Sequence, residues 1–286
     1  MTRTPNQAPG AAIIERDGVR LHYLEWGATR PDRPSMLLLH GLSSNARFWS
    51  RTAEHLDGWH IVALDQRSHG LSDRPQAGNH NPNFVADAHA LVLHLGLQQP
   101  LVAGHSWGAT IALEYAAAHA ARTGAVCVMD GPVWVTNTRW EDVKDFVQPP
   151  FPVHSTHDDA YRAQERYIPG AWGDDLRPFV EAGLVEENGG YRSTLTVDAR
   201  RDILQGMFGA DTHSLWTAVS KLPASVLLAR SGPQQFLEMK ERGAVELAAH
   251  VPGVHVRWFD TPHDIPLYEP AAVAAELVSL AERIRA

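Results

Sequence analysis

Four short runs in the first half of this chain lack the polar–apolar alternation of a strand with one wet face. They are SMLLLH (35–40), WHIVALD (59–65), PLVAGH (100–105) and GAVCVMD (124–130). Strands of this kind are covered on both faces, which points to a parallel sheet packed between helices. The segments between them read as helices. NARFWSRTAEHL (45–56) starts at a capping Asn45, NFVADAHALVLHLG (83–96) is stopped by Gly96, and WGATIALEYAAAHAA (107–121) is alanine-rich. Upstream, IIERDGVRLHYLEWG folds back at Asp17-Gly18 as a hairpin.

The alternation stops at residue 131. Up to about residue 220 the chain carries scattered prolines and tryptophans and no repeated strand–helix unit. It then resumes with ASVLLAR (224–230), a helix over 234–249, VHVRWFD (254–260) and a helix over 270–285. The pattern predicts an α/β architecture, a mostly parallel eight-stranded sheet flanked by helices. Residues 12–130 and 221–286 would form this core, 131–220 an inserted helical cap, and 1–11 a disordered lead-in.

The net charge of −8, from 25 basic and 33 acidic residues, argues against a nucleic-acid partner, because no basic stripe is available to displace phosphate counterions. The one cysteine, Cys127, lies in the apolar run 124–130 and reads as a buried, inert thiol compatible with a reducing compartment. No signal-peptide pattern opens the sequence, and no run approaches the ~18 apolar residues of a membrane span. A soluble, cytoplasmic protein is the expectation.

The sharpest motif is GHSWG at 104–108, a G-x-S-x-G pentapeptide between the strand 100–105 and the helix from 107. A serine on so tight a strand–turn–helix junction is lifted clear of the sheet and sits at a helix N-terminus. Gly104 and Gly108 leave room where a side chain would strike the neighbouring elements. Ser106 is therefore the expected nucleophile.

From LLLHGL through DQRSHGLSD, GHSWG and VMDG to TPHDIPLYEP, the chain resembles the α/β-hydrolase superfamily, in its cap-bearing esterase, epoxide-hydrolase and dehalogenase-like branch. The resemblance implies that the backbone N–H groups of Leu42 and Trp107 form an oxyanion hole, with the side chain of His40 in a structural hydrogen-bonding role. It also implies that His263, in the loop after the last strand, is the general base. The family usually has Gly where Ser68 stands in DQRSHG, a departure that bears on local conformation. Relatives that open epoxides or remove halogens use a carboxylate nucleophile. Serine at 106 points to acyl transfer instead.

The orienting acid is less direct. In most relatives it follows the strand corresponding to ASVLLAR, but here SGPQQF comes next, with no carboxylate before Glu238 on the predicted helix. The other family position, the end of the strand after the elbow helix, holds Asp130. Asp130 is the expected triad acid, with Glu238 and Asp260 as the alternatives; Asp264 is too close in sequence to its neighbour's Nδ1 hydrogen.

Trp134, Trp140, Phe146, Trp172 and Phe208 are the expected lining of an apolar pocket beneath the cap, which suits a small hydrophobic ester or lactone. A proline-releasing aminopeptidase or amidase is the alternative enzyme, and a non-hydrolytic receptor, lyase or perhydrolase the alternative on the same fold. No cofactor is expected. His154, His157, Asp158 and Asp159 are metal-ligand types, but their spacing forms no recognisable site.

Overall fold

The computed structural model describes residues 8–133 and 152–284. Its strands are β1 (Gly10–Arg16), β2 (Val19–Trp26), β3 (Met36–Leu39), β4 (Ile61–Leu64), β5 (Leu101–His105), β6 (Ala125–Met129), β7 (Leu184–Glu187), β8 (Gly190–Ser193), β9 (Ala224–Ala229) and β10 (His255–Phe259). Eight of them form one sheet in the order β1-β2-β4-β3-β5-β6-β9-β10. The β1–β2 and β2–β4 pairs are antiparallel and the other five are parallel, as the apolar runs predict.

Both faces of the central strands are covered. Along β3, Met36 and Leu38 join one core cluster while Leu37 and Leu39 join another, and β6 divides its residues in the same way. Helices Ser50–Ala53 and Pro270–Glu282 pack on the first face. Helices Asn81–His94 and Trp107–Ala118 pack on the opposite face beside β3 and β5, and Gln234–His250 lies on that same side by β6 and β9. Cys127 is fully buried on β6, where burial pushes its thiol pKa up, away from reactivity.

The antiparallel hairpin begins earlier than its side chains suggest. Gly10 and Ala11, expected in a disordered lead-in, pair with Glu25 and Leu24. Small exposed residues give no periodic signal, whereas their backbone groups bond regardless of side chain.

Between β6 and β9 the chain leaves the sheet. It forms helices His157–Tyr167, Arg177–Ala182, Val197–Gly209 and Thr212–Ala218. The first carries a capping box in which Thr156 and Asp159 bond each other's backbone N–H. This segment also contains the hairpin β7–β8, which an all-helical insertion does not include. Asn188 and Gly189, both at positive φ, make its turn, and the Asn-Gly pair is the local signal for it. Trp216 and Phe179 from this segment are buried in the clusters on the two faces, so the described parts that carry them pack onto the sheet. Among the described residues no helix is long and apolar enough to cross a membrane.

Candidate active site

Parallel pairing brings the C-terminal ends of β3, β5, β6 and β9 to one edge. Leu39 lies opposite Gly104, His105 opposite Met129, and Met129 opposite Leu227. The residues that follow these strands therefore gather in one place, where ligands bind in sheets of this type.

Ser106 follows β5 with φ 54° and ψ −122°, a strained conformation for a residue with a side chain. Neighbours hold it there: its N–H donates to Met129 O at 2.8 Å, and Ala109 N–H donates to its carbonyl at 3.0 Å. A Cβ at Gly104 would run into the Gly108 carbonyl, and one at Gly108 into the carbonyls of Leu39 and His40. The two flanking glycines are thus what lets β5 and its helix close on so short a turn.

Asp130 follows β6, also at positive φ (45°), with its N–H bonded to Leu227 O at 2.7 Å. Its carboxylate meets the loop after β10: His263 Nδ1 lies 2.6 Å from Asp130 Oδ2. Asp130 Oδ1 accepts from Ala229 N–H at 2.9 Å. Burial works against the charge on Asp130, but the bond from His263, that imidazole's charge and Lys240 outweigh it, and its pKa falls below the ordinary 3.8. Burial likewise pushes the His263 imidazole down. The hydrogen bond and charge of Asp130 overcome this, so its pKa rises above 6.5. No hydrogen bond joins the Ser106 hydroxyl to His263 in this conformation.

The other carboxylates lie elsewhere. Glu238 is exposed and accepts from Gln234 Nε2 at 3.1 Å; Asp260 is an exposed partner of Arg230. Asp264 stands 3.8 Å from His105 Nε2, and burial raises its pKa.

Leu42 is the second residue of the turn after β3 that Ser44 N–H closes on Gly41 O, and its own N–H has no acceptor among the described residues. Trp107 is the first residue of its helix, where an N–H has no acceptor within the helix. The Trp107 ring is fully buried, stacked on His69 and edge-on to Phe84. His40 is a strut between two loops. Its Nδ1 donates to Gly41 O at 2.8 Å, while its Nε2 accepts from Gln66 N–H at 3.1 Å. Burial lowers the pKa of His69 and His105 to about 3, so both imidazoles are neutral at physiological pH.

Sequence reasoning missed three supports. His105 stacks on Phe48, and its Nε2–H donates to the His263 carbonyl at 3.0 Å and pins that loop. Buried Asp65 accepts from His22 Nδ1, Ala46 N–H and Leu71 N–H, tying β2, β4 and the loop after β4 together. Lys240, on the helix after β9, reaches both oxygens of Asp130. His105 lies within GHSWG and Asp65 within DQRSHGLSD, but neither pattern gives the side chain a role, and Lys240 lies in no motif; each support is visible only once the strands are ordered.

Trp172 is half-buried beside the Tyr161 ring, and Phe208 is half-buried near the end of its helix. Among the described residues, neither makes a ring contact with His263. Trp134, Trp140 and Phe146 lie outside the described residues. Asp159 is engaged in the capping box, and His157 packs on Tyr191. One group with metal-ligand atoms close together, His105, His263 and Asp264, occurs among the described residues. Two of its ring nitrogens are already bonded, to the His263 carbonyl and to Asp130.

Residues 34–181 match the family model for the alpha/beta hydrolase fold. Among curated proteins, the chain is 28% identical over 274 residues to lipase LipV of Mycobacterium tuberculosis, covering 91% of this chain and 97% of the lipase. It is 33% identical over 129 residues to epoxide hydrolase A of the same organism, covering 44% of this chain and 39% of that protein. Among solved structures, E-2-(acetamidomethylene)succinate hydrolase superposes with a TM-score of 0.80 at 20% identity, covering 96% of this chain and 99% of that one. At that identity the likeness concerns the fold.

Proposed function

The chain belongs to the α/β-hydrolase family and is a hydrolase, and we propose that it is a serine carboxylic-ester hydrolase cleaving a small hydrophobic ester or lactone through an acyl-enzyme. The observation that carries this reading is the meeting, at one sheet edge, of a strained serine at a helix N-terminus with an imidazole held by a buried carboxylate.

In the proposed mechanism Ser106 Oγ attacks the substrate carbonyl while His263 Nε2 takes its proton. Asp130 holds the Nδ1–H tautomer and stabilises the imidazolium. The hydroxyl forms its bond to His263 as substrate enters, a tightening common to such sites. The N–H groups of Leu42 and Trp107 face the oxygen that gains charge, and each such donor is worth about 3 kcal/mol in the transition state. Protonated His263 then releases the alcohol, and water activated by the same ring clears the acyl group.

We read residues 131–220 as the cap over this site and 12–130 with 221–286 as the core. The half-buried aromatics Trp172 and Phe208 are proposed, with Trp134, Trp140 and Phe146, to shape an apolar acyl or alcohol pocket.

The test is a panel of p-nitrophenyl esters graded by acyl length, run beside lactones and aminoacyl anilides, on wild type and Ser106→Ala. Short or medium acyl esters or lactones should be preferred, with Ser106→Ala losing ~10⁴–10⁶ in turnover. Preference for the anilides would move the reading to an aminopeptidase or amidase. An alanine variant that retains a tenth of wild-type rate overturns it.

A further inference from the structure

Asp130 is gripped from two sides. His263 bonds Oδ2 from one, and from the other Lys240 Nζ lies 2.9 Å from Oδ2 and 2.7 Å from Oδ1. The same ammonium donates to Ala229 O at 3.0 Å, and Ala229 N–H in turn donates to Asp130 Oδ1 at 2.9 Å. All three donors of the lysine thus have acceptors at this one spot. The lysine side chain is 16% exposed and the aspartate 1%, so water screens the pair weakly.

We propose that Lys240 is a positioning residue of the site. It clamps the Asp130 carboxylate and offsets part of its charge, so that His263 stays neutral to lower pH than Asp130 alone would allow. The proposal rests on the reading of Asp130 and His263 as orienting acid and base.

The sign follows from the charges around the ring. Asp130 from the end of β6 and Asp264 from the imidazole's own loop favour imidazolium; Lys240 from the helix after β9 disfavours it. His105 from β5 also faces the ring, at 4.7 Å between centroids, and is neutral. Lys240 therefore works against the acids while keeping Asp130 ionised, so that the carboxylate orients the ring without taking its proton. A lone buried carboxylate would raise the imidazole further and move the acidic limb of activity to higher pH.

The decisive variant is Lys240→Gln, which keeps a donor for Asp130 and loses the charge; Lys240→Arg keeps the charge. Two readouts are taken: the titration of the His263 ring by NMR, its resonances identified by their loss in His263→Gln, and the pH profile of kcat/KM on one ester. In Lys240→Gln the His263 pKa and the acidic limb should both move up by roughly one unit, and Lys240→Arg should stay near wild type. An unmoved His263 titration in Lys240→Gln overturns the proposal, as does a Lys240→Gln chain that circular dichroism shows to be unfolded, since a tuning role predicts a folded variant. The NMR titration needs no turnover, so it decides the role of Lys240 even if no ester is a substrate.

Discussion

At the scale of single residues, the site is a contest between burial and pairing. His263 would titrate below its ordinary value if burial acted alone, and Asp130 reverses that. In the proposed mechanism the neutral imidazole is the base, so kcat/KM should fall as pH drops through a pKa above 6.5. Asp130→Asn removes the charge and lets the ring settle in the wrong tautomer, a change that costs about 10⁴ in turnover in a serine protease triad. It also turns an amide N–H toward Lys240 or Ala229, so a lower melting temperature should accompany the loss. Glu238→Gln, on the exposed side of the helix that bears Lys240, should be nearly silent. Steady-state kinetics on one ester separate the two, and an active Asp130→Asn beside an inactive Glu238→Gln would reverse the assignment. The sharp turn at Ser106 was legible because its motif sits at a strand–helix boundary, and the pairing of Asp130 with His263 because the commoner position holds SGPQQF. Lys240 was not: a lysine on a half-exposed helix looks like any solvated charge until β9 is set beside β6.

At the scale of elements, the loop after β4 explains the serine where the resemblance leads one to expect glycine. Ser68 has φ 66°, the left-handed region that favours glycine. Its N–H donates to Asp73 O at 2.9 Å and its hydroxyl to Asn79 Oδ1 at 2.8 Å, contacts that hold the strained residue in place. The adjacent Arg67 makes a two-pronged, buried pair with Asp87. Ser68→Ala keeps the strain and loses the hydroxyl bond, so it should destabilise by about 1–2 kcal/mol. Ser68→Gly loses the bond but relieves the strain, and should be more stable than the alanine variant by roughly 1 kcal/mol. Urea unfolding of both decides, and an alanine variant at least as stable as the glycine one would mean that the strain is not felt. Element positions were largely legible, because strands buried on both faces and capped helices announce themselves. The helix read over 107–121 ends at Ala118, with a 3-10 turn at Ala120–Arg122 after it. The hairpin β7–β8 went unread although Asn188-Gly189 marks it, since its short strands expose charged Glu186 and Glu187 and lack an apolar face.

At the scale of the whole molecule, the sheet carries out the assembly. Ser106, Asp130 and His263 are far apart in sequence and meet because β5, β6 and β10 run parallel and release the chain at one edge. That much can be argued from alternating strands and helices alone. What covers the edge cannot, because residues 131–220 lack a repeating pattern and their aromatic side chains serve core and surface alike: Trp216 is buried in the core, while Trp172 is only partly covered. The central claim, a covalent acyl-enzyme on Ser106, is tested most directly by trapping it. The protein is quenched in acid during turnover of a p-nitrophenyl ester, or after exposure to a fluorophosphonate, and its peptides are mapped by mass spectrometry. The account predicts one adduct, on the peptide containing Gly104–Gly108 and assigned to Ser106, that is absent from Ser106→Ala. Turnover with the label on a carboxylate, or an adduct that survives in Ser106→Ala, would contradict it.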